Sequence, residues 1–426
     1  MKNLKRPIQI ILMAPVVFIS ARLMAQQEKM QPEKVYYLTK QYMPRDWYRQ
    51  QAELWRNEVS QNPTNGAAWQ NYYPATEYSY LESMATAERD AKLAKIIADM
   101  QIAIAGEALP DLYKYLVAQK QDEKLAKVFF TETGPTALAK SMPGLYEFLI
   151  LKWRNTRANI RWLESAYQLR PDDPETYDDM IVHYETTGDA AKAKEFCERL
   201  YKSRDIVTGL LEYNYNILMS TEKNAILFTN GDNDTFPIWV LQRAKGIRPD
   251  VTVLNVHLIK LPDYLKMLLQ AKNVEIDFKK ISAHGGNHRI PELCKAIASA
   301  SPTLPTYFAL TVDNSHTKAL ASNLYVTGLA SRYSLRRLDN VALLQDNIEN
   351  RFRLDYLKYD WYHETHITAG LIKELNVNYV APFVMLSEHY TKNGENKKAG
   401  YWKNFAIDLA KAGGDHALID HIQSRK

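Results

Sequence analysis

The chain has 426 residues, of which 46% are hydrophobic, and its formal net charge at neutral pH is +5. This length exceeds one ordinary domain, so two or three domains with real cores are expected. The first 25 residues carry four basic residues and no acid, and without them the net charge falls to +1. The composition therefore gives no support to nucleic-acid binding, which requires a clustered basic face.

The N-terminus has the pattern of a secretory signal peptide. A basic start precedes an almost continuous apolar run at residues 8–19, and the small residue Ala25 stands at a suitable cleavage point. The run is shorter than the about 20 apolar residues of a membrane-spanning helix, and Pro15 and Arg22 interrupt it. We therefore predict cleavage after Ala25, export to the periplasm and a mature chain without a transmembrane span.

The next region, residues 26–205, is predicted to be helical. Its clearest pattern is a pair of helices joined by a Gly188–Asp189 turn, with the small residue Ala193 just inside the second helix. This pattern resembles a tetratricopeptide repeat, in which small residues allow helices to interlock. A similar helix, Gly394 turn and helix lie in residues 339–426. Such hairpins favour a protein partner, although alternating large and small apolar residues more often reflect core packing.

A strand–helix–strand unit lies between the helical regions. An apolar run at residues 225–229 ends at an Asn230–Gly231 turn, a helical pattern runs from Pro237 to Gly246, and a β-branched run follows at 251–259. In such a crossover the two strands are parallel. A third strand is predicted at residues 306–312.

These patterns predict an α/β plus all-α fold class, with a Rossmann-like parallel sheet domain flanked by tetratricopeptide-like helical hairpins. The predicted division is a signal peptide at 1–25, a helical region at 26–205, the Rossmann-like domain at 206–338 and a C-terminal helical region at 339–426.

Polar residues follow the first and third predicted strands and lie near the end of the second. Open α/β sheets bind ligands at the carboxyl ends of their parallel strands, so these residues are the candidate ligand-binding site. Such a pocket could hold a sugar, a hard cation through oxygen ligands, or both. The candidate residues are Asp232, Asn233, Asp234, Asn255, His257 and Asp313.

The same residues have a structural interpretation. Asp234 or Thr235 could cap the helix that starts near Pro237, Gly231 could serve only the turn, and His257 could be a core residue. Three consecutive Asp and Asn residues exceed what one cap requires, so we favour the pocket.

Other motifs carry less chemistry. His284 and His288 could bind a metal with Asp232 or Asp313, but a Gly-rich loop is the commoner explanation. His363 and His366 are three residues apart, whereas the zinc-protease motif needs four. No phosphate loop, nucleotide fingerprint or nucleophile elbow is present, and no cofactor or metal is predicted.

The sequence contains only two cysteines, Cys197 and Cys294. They could pair in an oxidising compartment, but they lie in segments that we predict to be different elements, and spacing alone cannot place them together.

Several segments resemble a known family: residues 229–237 (TNGDNDTFP), 246–251 (GIRPDV), 306–309 (TYFA) and 328–330 (GLA). They are similar to the soluble carboxy-terminal region of a bacterial membrane family of unassigned function that is related to protein O-mannosyltransferases. The resemblance covers about residues 222–335 well and the flanking helices loosely. It implies tetratricopeptide-like helices near the C-terminus and a multi-span glycosyltransferase domain ahead of the soluble part.

The multi-span domain is not predicted in this sequence, so the resemblance carries over only the Asp232–Asn233–Asp234 loop and its surroundings. The preferred hypothesis is an exported, periplasmic binding or scaffold protein without catalysis, linked to glycan or glycoprotein handling in the cell envelope. The alternative is a soluble hydrolase or transferase that uses Asp232 and Asp234 as a carboxylate pair, with or without a divalent cation. A third hypothesis is an obligate partner of an envelope membrane complex.

Overall fold

The computed structural model describes residues 30–106, 122–131, 134–157, 159–282, 289–359 and 366–424. The predicted signal peptide, His284, His288 and His363 lie outside these ranges. The chain forms two compact units. Unit 1 contains the described residues within 1–35, 43–118 and 142–151, and unit 2 contains those within 36–42, 119–141 and 152–426. The boundaries predicted after residues 205 and 338 both fall inside unit 2.

The described chain is mostly helical, as predicted, with one five-stranded and one two-stranded sheet. Unit 1 contains α1 (Arg45–Gln61), α2 (Gly66–Tyr78), α3 (Thr86–Met100), the π-helical turn Gln101–Gly106 and the part of α6 (Leu145–Thr156) up to Leu151. Asn65 starts α2, because its side chain accepts a hydrogen bond from the Ala68 N–H at 3.2 Å. The buried rings of Tyr48 and Tyr78 join α1 to α2 edge to face, with centroids 5.2 Å apart.

Unit 2 holds the remaining helices and all the strands. Its helices are α4 (Asp122–Phe129), α5 (Ala137–Ser141), the end of α6, α7 (Arg161–Leu169), α8 (Tyr177–Thr187), α9 (Ala190–Ser203), α10 (Thr208–Met219), α11 (Asp232–Lys245), α12 (Pro262–Gln270), α13 (Phe278–Ser282), α14 (Arg289–Ala300), α15 (Asn314–Thr317), α16 (Asn340–Asp346), α17 (Ala369–Asn376), α18 (Val380–Lys392), α19 (Asn396–Ala412) and α20 (His416–Ser424). Short 3-10 turns lie at Pro174–Thr176, Leu258–Lys260, Lys318–Asn323, Asp355–Leu357 and Val377–Tyr379, and a π-helical turn lies at Asn347–Arg351.

Packed pairs of consecutive helices lie at both predicted hairpins, α8 with α9 and α18 with α19. Gly188 ends α8 at φ 81°, a left-handed conformation that favours glycine, and the Asp189 carboxylate caps α9 through the Lys192 N–H at 3.0 Å. Tyr184 stacks on Phe196 across the pair, with centroids 5.7 Å apart. Within the described residues, no helix combines the length and apolar composition needed to cross a bilayer.

The five-stranded sheet has the order β4-β3-β5-β7-β6. Three strands are parallel, as predicted: β3 (Ile226–Thr229), β4 (Thr252–Asn255) and β5 (Thr306–Ala309). β3 and β5 are buried along their whole length, and Phe228 stacks on Phe308 with centroids 4.6 Å apart. The predicted helix between the first two strands is α11, so the crossover lies where the sequence indicated.

The sheet as a whole is mixed, whereas the sequence predicted a parallel sheet. β7 (Ala330–Tyr333) runs antiparallel to β5, and β6 (Leu324–Val326) runs antiparallel to β7. Gly328 lies between them at φ 147°, and a side chain there would come within 2.5 Å of the Ser220 hydroxyl. The chain therefore reverses at a position that only glycine fits. A second, two-stranded sheet joins β1 (Phe130–Thr131) to β2 (Gly134–Pro135).

Arg248 fixes the connection that leads into β4. Its guanidinium donates to the Leu218, Thr221 and Glu222 carbonyls at 2.8, 3.0 and 2.7 Å and pairs with both carboxylate oxygens of Asp250 at 3.0 Å. These bonds join the end of α10 and the residues just after it to the turn before β4. The Arg248 side chain lowers the pKa of Asp250 to about 2, and the Asn224 N–H contributes.

The two cysteines do not pair. Cys197 in α9 and Cys294 in α14 are buried free thiols. Burial raises the pKa of the Cys197 thiol to about 12 and raises that of Cys294 as well.

Candidate functional site

Asp234 is built into the turn between β3 and α11. Its side chain is 2% exposed and lies in the first turn of α11, where it accepts hydrogen bonds from the Asn230 and Gly231 N–H groups at 2.8 Å. The Thr311 hydroxyl donates a further, short hydrogen bond. Burial raises the pKa of Asp234 and the hydrogen bonds oppose the rise. With three donors around it, this carboxylate is occupied as the reciprocal half of a helix cap.

Asn255 is also occupied, at the end of β4. Its amide nitrogen donates to the Thr235 hydroxyl at 2.9 Å, and its carbonyl oxygen accepts from the His257 and Leu258 N–H groups at 2.9 and 3.1 Å. Thr235 in turn hydrogen-bonds to the Thr229 hydroxyl at 2.8 Å. Asn255 is 4% exposed, so it links the ends of two strands and leaves nothing for a ligand.

Asp313 and His257 lie on the exposed side of the same sheet edge. Asp313 caps the short helix α15 through the Ser315 N–H at 2.7 Å, and the Ser315 hydroxyl, followed by this N–H, lowers the pKa of its carboxyl. Its own N–H donates to the Asn230 side chain at 3.3 Å, so the loops after β3 and β5 meet as predicted. Burial and the nearby Lys260 and His316 lower the pKa of His257.

Asp232 and Asn233, at the start of α11, line a pocket. Its cavity volume is about 30 Å³. We call it the acidic pocket, because three aspartates line it. Its lining residues are Thr39, Lys40, Asp178, Asp205, Ile206, Val207, Leu210, Asp232, Asn233, Phe236, Pro237 and Thr368.

The helices around the acidic pocket hold its polar groups in place. The Asn214 amide of α10 donates to the Asn233 carbonyl at 2.8 Å and so fixes the start of α11. Lys40 forms a short ion pair with Asp205, which follows α9. Asp178 lies in the first turn of α8.

Two carboxyl groups of the acidic pocket, those of Asp178 and Asp232, have raised pKa values. Burial, followed by the Asp205, Asp232 and Asp179 carboxylates, raises the pKa of Asp178 to about 8, and Lys40 only partly opposes this. Asp232 is an exposed residue, yet desolvation by the protein around it, followed by the Asp179 carboxylate, raises its pKa to about 6. Raised pKa values from burial and like charges are common where a pocket has a chemical role.

Asp179, beside the pocket, has its own partners. It pairs with Arg154 at 3.0 Å and with Arg157 at 3.3 Å. In the ranges that the structure describes, no three or more His, Cys, Asp or Glu side chains are arranged to hold a metal ion. The acidic pocket therefore offers hydrogen-bonding oxygens, an amide and one ammonium group.

The structure divides the six predicted site residues into two groups. Asp232 and Asn233 line the acidic pocket, whereas the remaining four serve caps and strand ends or lie exposed on the other side of the turn. Sequence reasoning missed Lys40, Asp178 and Asp205, which come from three separate segments. Asp178 belongs to a run of acidic residues after Pro171, but nothing in the sequence pairs it with Asp232.

Comparison with known proteins gives one partial match. Residues 211–290 match the family model described as TMEM260-associated domain 2, and TMEM260 is a protein O-mannosyltransferase-related family. The matched segment contains most of α10 and all of β3, α11 and β4, and thus the Asp232–Asp234 turn and Arg248. No curated protein matches the chain.

Proposed function

We propose that the chain is a non-catalytic binding module that recognises a hydroxyl-rich ligand, a glycan or glycoprotein, at the acidic pocket. The observation that carries this proposal is that Asp232 and Asp234, two residues apart, have different surroundings. Asp234 is fully hydrogen-bonded within the turn, whereas Asp232 lines the pocket beside Asn233 and Asp178. Carboxylate, amide and hydroxyl groups are the usual partners of sugar hydroxyls because they accept and donate hydrogen bonds.

The size of the pocket supports binding of one substituent of a larger ligand. A volume of about 30 Å³ has room for a hydroxyl or hydroxymethyl group, since about 10–15 Å³ holds one water molecule. A whole sugar ring would remain outside. Binding through one substituent is compatible with recognition of the end of a glycan chain or of a sugar attached to a protein.

The cellular setting is part of the proposal. The predicted signal peptide would export the chain to the periplasm, and the partial match to an O-mannosyltransferase-related family supports glycan or glycoprotein handling. We further propose that α10, β3, α11, β4 and β5 form a Rossmann-like core. The helix pairs α8–α9 and α18–α19 would act as tetratricopeptide-like hairpins that bind a protein partner.

Thermal unfolding with and without ligand tests the binding function. The panel comprises neutral hexoses, N-acetylhexosamines and a glycosylated peptide, and the proteins are wild type, Asp232→Asn and the control Asp420→Asn, which changes an exposed aspartate of α20. A ligand at 100-fold excess over its Kd should stabilise the wild type and the control by about 2.7 kcal/mol. Asp232→Asn should lose most of that gain. An equal gain in all three proteins, or no gain with any ligand, would refute binding at this pocket.

One observation favours a second function, a hydrolase or transferase. The carboxyl groups of Asp178 and Asp232 both have raised pKa values and line one pocket, so they could act as an acid and a base in place of the predicted Asp232 and Asp234 pair. Turnover of aryl glycosides would support this function if Asp178→Asn and Asp232→Asn abolish it and Asp420→Asn does not. Absence of turnover across the panel would leave the binding function alone.

A further inference from the structure

Unit 1 carries a row of arginines that face a separate cavity. Arg45, Arg49 and Arg56 are spaced four and seven residues apart, which places them on one face of α1. They line a cavity of about 500 Å³ together with Lys92 of α3 and the rings of Tyr72 and Tyr80. We call this cavity the arginine groove.

Four basic side chains and two carboxylates, Glu53 and Glu88, line the arginine groove, so its positive charge is only partly compensated. Lys92 pairs with Glu88 at 3.0 Å, and Arg49 pairs with Asp46 at 2.8 Å. The second pair is exposed, with 53% and 87% of its side chains accessible, so a ligand could replace Asp46 at small cost. Across the described residues, no carboxylate forms an ion pair with Arg45 or Arg56.

One arginine is already positioned. The Nε of Arg45 donates to the Ser79 carbonyl at 2.8 Å, which holds the side chain between α1 and the end of α2. Its terminal nitrogens keep their donors for an acceptor in the groove. A fixed guanidinium binds oxyanions well because less side-chain freedom is lost when the ligand arrives.

The arginine groove is also large enough for an organic molecule. Its volume lies within the about 300–1,000 Å³ of small-molecule sites, so it exceeds what an inorganic anion needs. Tyr72 and Tyr80 are half-buried; the Lys92 ammonium lies over the Tyr80 ring, 5.0 Å from its centroid, and the Tyr80 hydroxyl donates to Glu88 at 2.7 Å. Ring faces beside guanidinium groups accommodate a flat or ring-shaped molecule that carries an anionic group.

We propose that unit 1 binds an acidic sugar in the arginine groove, with Arg45, Arg49 and Arg56 holding its phosphate or carboxylate group. This site is distinct from the acidic pocket, whose lining residues all belong to unit 2. The proposal therefore does not depend on the function proposed above.

Isothermal titration calorimetry on the whole protein tests the arginine groove with three probes: a hexose phosphate, a hexuronate and the corresponding neutral hexose. We expect millimolar or tighter binding of at least one charged probe and none of the neutral probe, with an affinity that falls as salt is raised. The two charged probes distinguish phosphate from carboxylate as the anionic group. Failure of both, or equal binding of the neutral hexose, would overturn the proposal.

Three variants locate the binding. Arg56→Gln should weaken binding about tenfold or more, because it removes a charge-assisted contact from a residue without a carboxylate partner. Arg89→Gln, on α3 but outside the groove lining, is the matched control and should bind as the wild type does. Asp232→Asn should also bind normally, which separates this site from the acidic pocket. Equal weakening by Arg56→Gln and Arg89→Gln would mean general attraction by surface charge and would refute the site.

Discussion

Two aspartates that are two residues apart illustrate how position within a helix decides a side chain's role. Asp232 is the first residue of α11 and faces the acidic pocket, whereas Asp234 is the third and turns back toward the preceding N–H groups. The third helical position can reach the free amides of the cap, and the first cannot. The pair therefore contributes one candidate ligand group and one structural anchor.

At this scale we expect Asp234→Asn to lower the free energy of unfolding by about 2–3 kcal/mol, since it replaces a buried acceptor of two N–H groups and a hydroxyl with an amide. Asp232→Asn should change stability by less than about 0.5 kcal/mol or increase it slightly, because its carboxylate is held at a raised pKa. Urea unfolding at neutral pH measures both. Equal effects would contradict the separation of roles.

At the scale of elements, Arg248 fixes the segment Gly246–Asp250 to the end of α10. It uses all five of its N–H donors, three on carbonyls at the end of α10 and just after it and two on Asp250. The end of α10 is thereby joined to the turn before β4 without a continuous hydrogen-bonded element between them. The arginine of a segment that carries the family resemblance is therefore a structural clamp.

We expect Arg248→Lys to lower the free energy of unfolding by about 2–4 kcal/mol, because an ammonium group has only three donors and lacks the planar fork. Arg337→Lys, at an exposed position, is the matched control and should change it by less than about 0.5 kcal/mol. Denaturant unfolding with unchanged m values would show that stability alone has changed. A similar result for the two variants would rule out the clamp.

The elements differ in how far sequence could predict them. β3, α11, β4 and β5 follow from local patterns, because each strand is a short apolar run and the Asn230–Gly231 turn separates β3 from α11. The β6–β7 hairpin does not, since its strands are short and its reversal depends on Gly328 packing against Ser220. The acidic pocket could be predicted only in part. Asp232 belongs to a local motif, whereas Lys40 and Asp178 are distant in sequence and come close to it only in the folded chain.

At the scale of the whole molecule, the acidic pocket sets a pH dependence. The pKa of Asp178 is about 8 in the folded protein and about 3.9 for an unfolded aspartate, so the folded state keeps a proton that the unfolded state has lost. Between these values the folded state binds more protons, and the contribution of Asp178 to stability falls as pH rises from about 4 to about 8. Above pH 8 a buried negative charge remains next to Asp205 and Asp232.

This pH dependence can be tested by comparing the free energy of unfolding of Asp178→Asn with that of the wild type between pH 4 and pH 8. At pH 4 the two proteins should be equally stable, and by pH 8 the variant should be more stable by at least about 1.4 kcal/mol, which corresponds to one pKa unit. Denaturant unfolding at five pH values gives the difference directly. A difference that stays constant with pH would exclude Asp178 as its source.

The burial of both thiols has a consequence for the behaviour of the protein under oxidising conditions. Because Cys197 and Cys294 are enclosed and resist deprotonation, a folded copy presents no thiolate to an oxidant or a neighbouring chain. Only unfolded chains would then form intermolecular disulfides. Under oxidising conditions, disulfide-linked dimers would therefore come from unfolded chains, whereas folded chains would keep both thiols reduced.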